Sequence, residues 1–221
     1  MKLRDALIRL CNENINQTND WYSWRTIDEA KLPSGISLPE GNHYQKNIAL
    51  KVKLNQLWLG EHDITRQEEV IKYYISTWGG VRGNKSARIS EYASQLPDQL
   101  IGRGKGGVAS WSKALVVRDP NQYAIFDARV SVSLNCLQIL DNTDIKTLYP
   151  VLPSQNKSIT HANARIKEIA RVDGWNILSN STFYESYLSL IRDVARECQT
   201  DKSTVEMLLF SKAIDLARAI I

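Results

Sequence analysis

Apolar side chains recur every three to four positions at Leu3, Ala6, Leu7, Leu10 and Cys11, which predicts an amphipathic helix over the first dozen or so residues. The periodicity then stops. Residues 15–42 carry Pro33, Gly35, Pro39 and Gly41 around the aromatic group Trp21, Tyr22 and Trp24, and they read as a long loop. From His43 to Leu59 the chain supports both strand-like alternation, Ile48-Leu50-Val52-Leu54, and helical spacing, Leu50-Leu54-Leu57-Trp58. The length of the stretch favours the helix and leaves a short strand open.

Thr65 followed by Glu68 has the form of a capping box, opening a helix that carries Val70, Ile71, Tyr74 and Ile75 and stops at Gly79-Gly80. Thr182 with Glu185 and Ser203 with Glu206 mark two later helix starts in the same way. Between Ser86 and Gly102 the pattern gives a short helix ending near Pro97 and a Gly-rich turn, then a helix from about Val108 to Val117. Asp119-Pro120 reads as a short turn, and Asp127 as the start of a helix carrying Val130, Leu134, Leu137 and Ile139 or Leu140. Residues 141–160 form a connection, and closing helices are expected near 160–172, 182–198 and 203–221. Eight or nine helices with little strand make an all-α fold.

At 221 residues the chain suits one compact domain or two small helical lobes sharing one core, a single unit in either case. Apolar residues at 43% and charged residues at 24% exclude collagen-like, wholly disordered and disulfide-framework classes. Cys11, Cys136 and Cys198 are far apart and form no C-x-x-C pair, so a reduced, cytoplasmic protein is expected. Charges at Asp5 and Arg9 interrupt any signal peptide, and no apolar run is long enough to span a bilayer, so neither export nor insertion is expected. His43, His62 and His161 share no ligand spacing, so no metal and no cofactor is assigned.

The net charge of +4 is too mild to name a partner, but its distribution is uneven. From Lys72 to Arg118 eight basic residues, Arg82, Lys85, Arg103 and Lys105 among them, face only Glu91 and Asp98, a net of +6 that leaves −2 for the rest of the chain. Tyr73, Tyr74, Trp78, Tyr92 and Trp111 are interleaved with them. That pattern suits a surface that tracks phosphates and stacks bases, and it equally suits a solvated helix face over core aromatics. Within it, Gly102-Arg103-Gly104-Lys105-Gly106-Gly107 precedes a predicted helix, where bare backbone amides and the helix dipole can approach a phosphate oxygen. No Walker Lys-Ser/Thr follows and no strand precedes it, which points to a nucleic-acid backbone; the other reading is a flexible surface loop.

Downstream lie Trp111-Ser112-Lys113-Ala114 and Tyr123-Ala124-Ile125-Phe126-Asp127-Ala128-Arg129-Val130. A Gly-rich hairpin, then a helix bearing Ser-Lys, then Ile-aromatic-Asp-Ala-Arg-Val resembles the bacterial 8-oxoguanine-DNA-glycosylase-like family of the helix-hairpin-helix superfamily, over residues 78–135 or so. The resemblance implies a two-lobed all-α enzyme, with a central lobe at about 65–150, a second from about 1–64 and 151–221 and a DNA cleft between them, acting as a monomer on double-stranded DNA that contains a modified base. It implies that Asp127 is the catalytic carboxylate and that Lys113 occupies the place where bifunctional members keep an amine nucleophile. The sequence departs from the family in its hairpin, in a shorter Lys113 to Asp127 separation and in lacking the iron–sulfur cysteines of one branch.

The chemistry is consistent with those residue types. Breaking an N-glycosidic bond builds positive charge on the sugar, which a fixed carboxylate stabilises while it orients water. Asp127 suits that role and also suits a plain helix cap. Lys113 reads either as a Schiff-base nucleophile or as a phosphate ligand, and Arg129 as a holder of a phosphate or of an internal carboxylate. A base taken out of the stack needs a pocket; Trp78 with Gly79-Gly80 is the first candidate and Trp21 with Trp24 the second, each of them also a candidate core residue. The expected function is excision of a modified base, leaning toward phage defence against hypermodified cytosine such as its glucosylated hydroxymethyl form. An 8-oxoguanine repair glycosylase/lyase and a non-catalytic DNA-binding module are the alternatives.

Overall fold

The computed structural model describes residues 1–15, 18–24 and 26–221. The fold is all-α. Ten α-helices are present among the described residues, with a single pair of two-residue strands. The chain divides into two compact units, one of residues 18–125 and one of residues 1–17 with 126–221. This division lies elsewhere than the expected lobe at about 65–150, because helix pairing between distant segments, which leaves no local signal, sets it.

The 18–125 unit begins with a connection that holds one 3-10 turn, Glu29–Lys31. Then come α2 (His43–Gly60), α3 (Ile64–Lys72), α4 (Ser86–Ser94), α5 (Pro97–Ile101) and α6 (Val108–Arg118). The strand or helix ambiguity at 43–59 resolves as helix, fixed by a capping box the pattern did not show: Asn42 Oδ1 accepts from Gln45 N at 2.9 Å and Gln45 Oε1 accepts from Asn42 N at 3.0 Å. Asp63, not Thr65, caps α3, its carboxylate accepting from Thr65 N at 2.9 Å. A carboxylate at a helix N-terminus also gains from the helix dipole, which a Thr hydroxyl does not. α3 runs on as a π-helical segment, Tyr73–Trp78, and ends at Gly79 as expected, where Gly79 N–H donates to Tyr74 O.

α6 is the core of this unit. Val108, Trp111, Ala114, Leu115, Val116 and Val117 are all buried, because α2, α3, the π-helical segment, α4 and α5 pack around it. Its C-terminal carbonyls, Val117 O and Arg118 O, accept from Asn55 Nδ2 of α2 at 3.0 and 2.6 Å. Arg118 in turn donates to the carbonyls of Tyr92, Ala93 and Gln95 at the end of α4 and lies over the Trp58 ring. One arginine thus satisfies carbonyls that a helix terminus leaves without partners.

The other unit comprises α1 (Leu3–Asn14), α7 (Ala128–Leu140), α8 (Lys157–Val172), α9 (Phe183–Glu197) and α10 (Lys202–Arg218). α7 is buried on every face from Val130 to Gln138, packing against α10, α8 and α1. Its interior polar groups are bonded, as burial demands: Ser131 to Pro150 O, Ser133 to Leu209 O, Asn135 to the Tyr149 backbone and Gln138 to Thr147. Val132 and Cys136 of α7 join Ile159, Ala162 and Ile166 of α8 with Ala213 and Ala217 of α10 in one apolar cluster. Thr147–Leu148 and Asn176–Ile177 form a parallel strand pair beside it. Asp201 rather than Ser203 caps α10, accepting from Thr204 N at 2.7 Å. Thr182 holds the cap position of α9, but its hydroxyl bonds Ser179 Oγ instead of the helix backbone.

Candidate functional site

Between α6 and α5, a helix the pattern did not predict, the Gly-rich run forms a turn at 102–107. Its shape depends on two backbone positions in the left-handed region, Gly104 at φ +60° and Gly107 at φ +72°. A Cβ at Gly107 would also lie 2.9 Å from Tyr92 Oη. Gly104 faces inward, its carbonyl accepting from the Trp111 indole N–H at 3.1 Å, which ties the turn to the core of α6. Lys105, Gly106 and Gly107 are exposed. Among the described residues the Gly106 and Gly107 amides have no hydrogen-bond partner, so two N–H groups stand open just before the α6 N-terminus.

Arg103 does not join them. Its guanidinium pairs with Glu91, bonds Gln95 and lies over the Tyr92 ring, so it fastens the turn to α4. The same contact, seconded by Arg88, holds the Glu91 carboxyl below the usual carboxylate range. Arg82 and Lys85 are exposed, in the stretch that joins the π-helical segment to α4.

Lys113, on α6, is 3% exposed, with Nζ donating to Ala109 O at 2.6 Å. Its aliphatic stem fills the space at Gly79, so Gly79 belongs to the packing of Lys113 and not to a pocket wall. Gly80 is exposed at φ +71°. Trp78 is half-buried, stacked on Tyr74 at 4.4 Å and fixed by its indole N–H on Asn47 Oδ1 at 2.9 Å. It borders a cavity of about 420 Å³ between Thr26–Asp28 and Lys31 on one side and Tyr73, Ser76–Trp78 and Arg82 on the other. Trp21 and Trp24 do not border it; Trp21 packs on Tyr22 and Tyr44.

Asp28 carries no signal in the sequence, and Tyr73 stands there only among the aromatics interleaved with the basic residues. Asp28 pairs with Lys31 at 2.6 Å, and that hydrogen bond keeps its carboxyl below its ordinary range. Burial first, then the Asp28 charge, pushes the Tyr73 phenol up to about 12. Only a long-range contact brings them together, so no spacing announces it.

In the second unit Asp127 is the N-cap of α7, and Oδ1 accepts from Arg129 N at 2.9 Å and Val130 N at 3.1 Å. Both bonds end on one oxygen, which leaves Oδ2 for other chemistry. Phe126 anchors the residue by its ring, which packs edge-on to Phe183 and Tyr187 at 5.0 and 5.2 Å. Tyr187 is fully buried, and desolvation, then the Glu206, Tyr184 and Asp127 charges, hold its phenol far above its ordinary acidity. Arg129 places its guanidinium over the Phe210 ring, 4.8 Å from its centroid.

Among the described residues no group of His, Cys, Asp and Glu is arranged to hold a metal ion, and no helix is long and apolar enough to cross a membrane. No protein-family model, curated protein or solved structure matches the chain.

Proposed function

We propose that the protein is a DNA glycosylase of helix-hairpin-helix type that hydrolyses the N-glycosidic bond of a modified base, serving in defence against phages whose DNA carries hypermodified cytosine. The observation that carries this reading is Asp127, a half-buried carboxylate held by two backbone amides through one oxygen only. In the reaction the C1′–N bond breaks, the electron pair leaves with the base, and water adds at C1′. The free carboxylate oxygen stabilises the cationic sugar and takes the proton of the water. The open amides of Gly106 and Gly107 with exposed Lys105 serve the DNA backbone. Buried Lys113, bonded to Ala109 O, favours a monofunctional enzyme that leaves an abasic site over a lyase.

The test is incubation of the protein with phage DNA of modified and of unmodified composition, followed by hot alkali to reveal abasic sites. Strand breaks in the modified DNA alone are expected. Equal breakage on DNA containing oxidised guanine would favour the repair glycosylase, and binding without breakage on any of them would favour a DNA-binding module in which Asp127 is a cap and no more.

A further inference from the structure

The segment Tyr73–Trp78 departs from α-helical winding, and such π-helical turns occur often at functional sites. Its side chains Tyr73, Ser76, Thr77 and Trp78 form one wall of the cavity of about 420 Å³, a volume in the range of small-molecule sites. Trp78 is a fixed platform, backed by Tyr74 and anchored on Asn47. Among the described residues two cations, Lys31 and Arg82, border the cavity against one anion, Asp28, so an anionic ligand is preferred. Among the described residues Arg82 has no ion-pair partner, whereas Asp28 and Lys31 hold each other.

We propose that this cavity binds a single nucleotide whose base carries an exocyclic amine, with the base against Trp78, the amine donating to Asp28 and the phosphate on Arg82. The carboxylate of Asp28 is kept ionised by Lys31 and is an acceptor only. The Tyr73 phenol, whose proton is held up to about pH 12, is a donor suited to a ring carbonyl. A cytosine presents the amine through which carboxylates recognise it, and a ring carbonyl besides. Thymine places a carbonyl where cytosine has its amine, setting acceptor against acceptor. The binding is independent of the glycosylase reading.

The experiment is calorimetric titration of the full chain with deoxycytidine 5′-monophosphate and with thymidine 5′-monophosphate. Deoxycytidine monophosphate is expected to bind at least about fivefold more tightly, from the lower end of the discrimination that one well-made base contact supplies. Asp28→Asn should abolish the preference and Arg82→Ala should weaken both nucleotides alike, with circular dichroism confirming that these surface variants fold. Equal binding of the two nucleotides, a preference that survives Asp28→Asn, or no binding of either would overturn the proposal. Nucleotide preference without any base excision would remove the glycosylase reading and leave the cavity site standing; excision with equal nucleotide binding would do the reverse.

Discussion

A Cβ placed on Gly79 would stand 2.7 Å from Lys113 Cε, so the glycine that ends the π-helical segment is also the gap through which a buried lysine passes. The same atom would meet Ile75 O at 2.7 Å and Tyr74 O at 2.9 Å, both of them backbone and unable to swing aside. Gly79→Ala should therefore destabilise the protein by about 1–3 kcal/mol, the range for forcing an added carbon into a packed interior. Thermal or urea unfolding reads this directly, and an unchanged midpoint would show that the segment yields without cost.

Lys113 itself is committed to Ala109 O at 2.6 Å within its own helix. Borohydride added during turnover should trap little or no covalent protein–DNA adduct, and intact abasic sites should accumulate. Strong trapping that vanishes in Lys113→Gln would make this lysine the nucleophile instead.

Asp127 combines a cap with the proposed chemistry, and two substitutions separate the roles. Asn is as good a cap as Asp, so Asp127→Asn should leave stability almost unchanged and eliminate base release, with DNA affinity within a few fold. Asp127→Ala should in addition cost ~1 kcal/mol of stability. Full excision by a folded Asp127→Asn protein would remove the mechanism.

Arg103 and Lys105 are neighbours in the hairpin with different duties. Lys105→Ala should lower the salt dependence of DNA binding by about one phosphate contact. Arg103→Ala should lower the melting temperature, since it releases Glu91 and Gln95 together, while the salt slope changes little. A slope change with Arg103→Ala equal to that with Lys105→Ala would place both on DNA.

Stability should fall in alkali. The Tyr73 phenol ionises near 12 in the fold and near ~10 in an unfolded chain, so above ~10 the unfolded state loses its proton first. Tyr149 and Tyr187 shift the same way by burial. The Tyr73 contribution is complete below ~10 and is lost progressively as the pH rises through 12. Denaturant titrations between pH 9 and 12 should show this decline, and Tyr73→Phe should make it shallower; an equal decline in that variant would exclude Tyr73 as a source.

Legible in the local pattern were the helical class, the helix end at Gly79, the Gly-rich turn before α6 and Asp127 as the opening residue of α7, because each depends on spacing, on glycine or on a cap, whereas α5 was not legible. Cap identity was less legible: Asp63 and Asp201 hold the caps expected at Thr65 and Ser203, because an Asp two positions upstream caps a helix at least as well and only the backbone conformation chooses between them. Packing between distant segments set that α2 belongs with α6 and α7 with α10, and so where the two units divide. It also turned Arg103 inward onto Glu91, filled the space at Gly79 with Lys113, and brought Asp28 to Tyr73. These are contacts between residues from 12 to 45 positions apart, and their free energy comes from desolvation and packing that neighbours in sequence do not reveal.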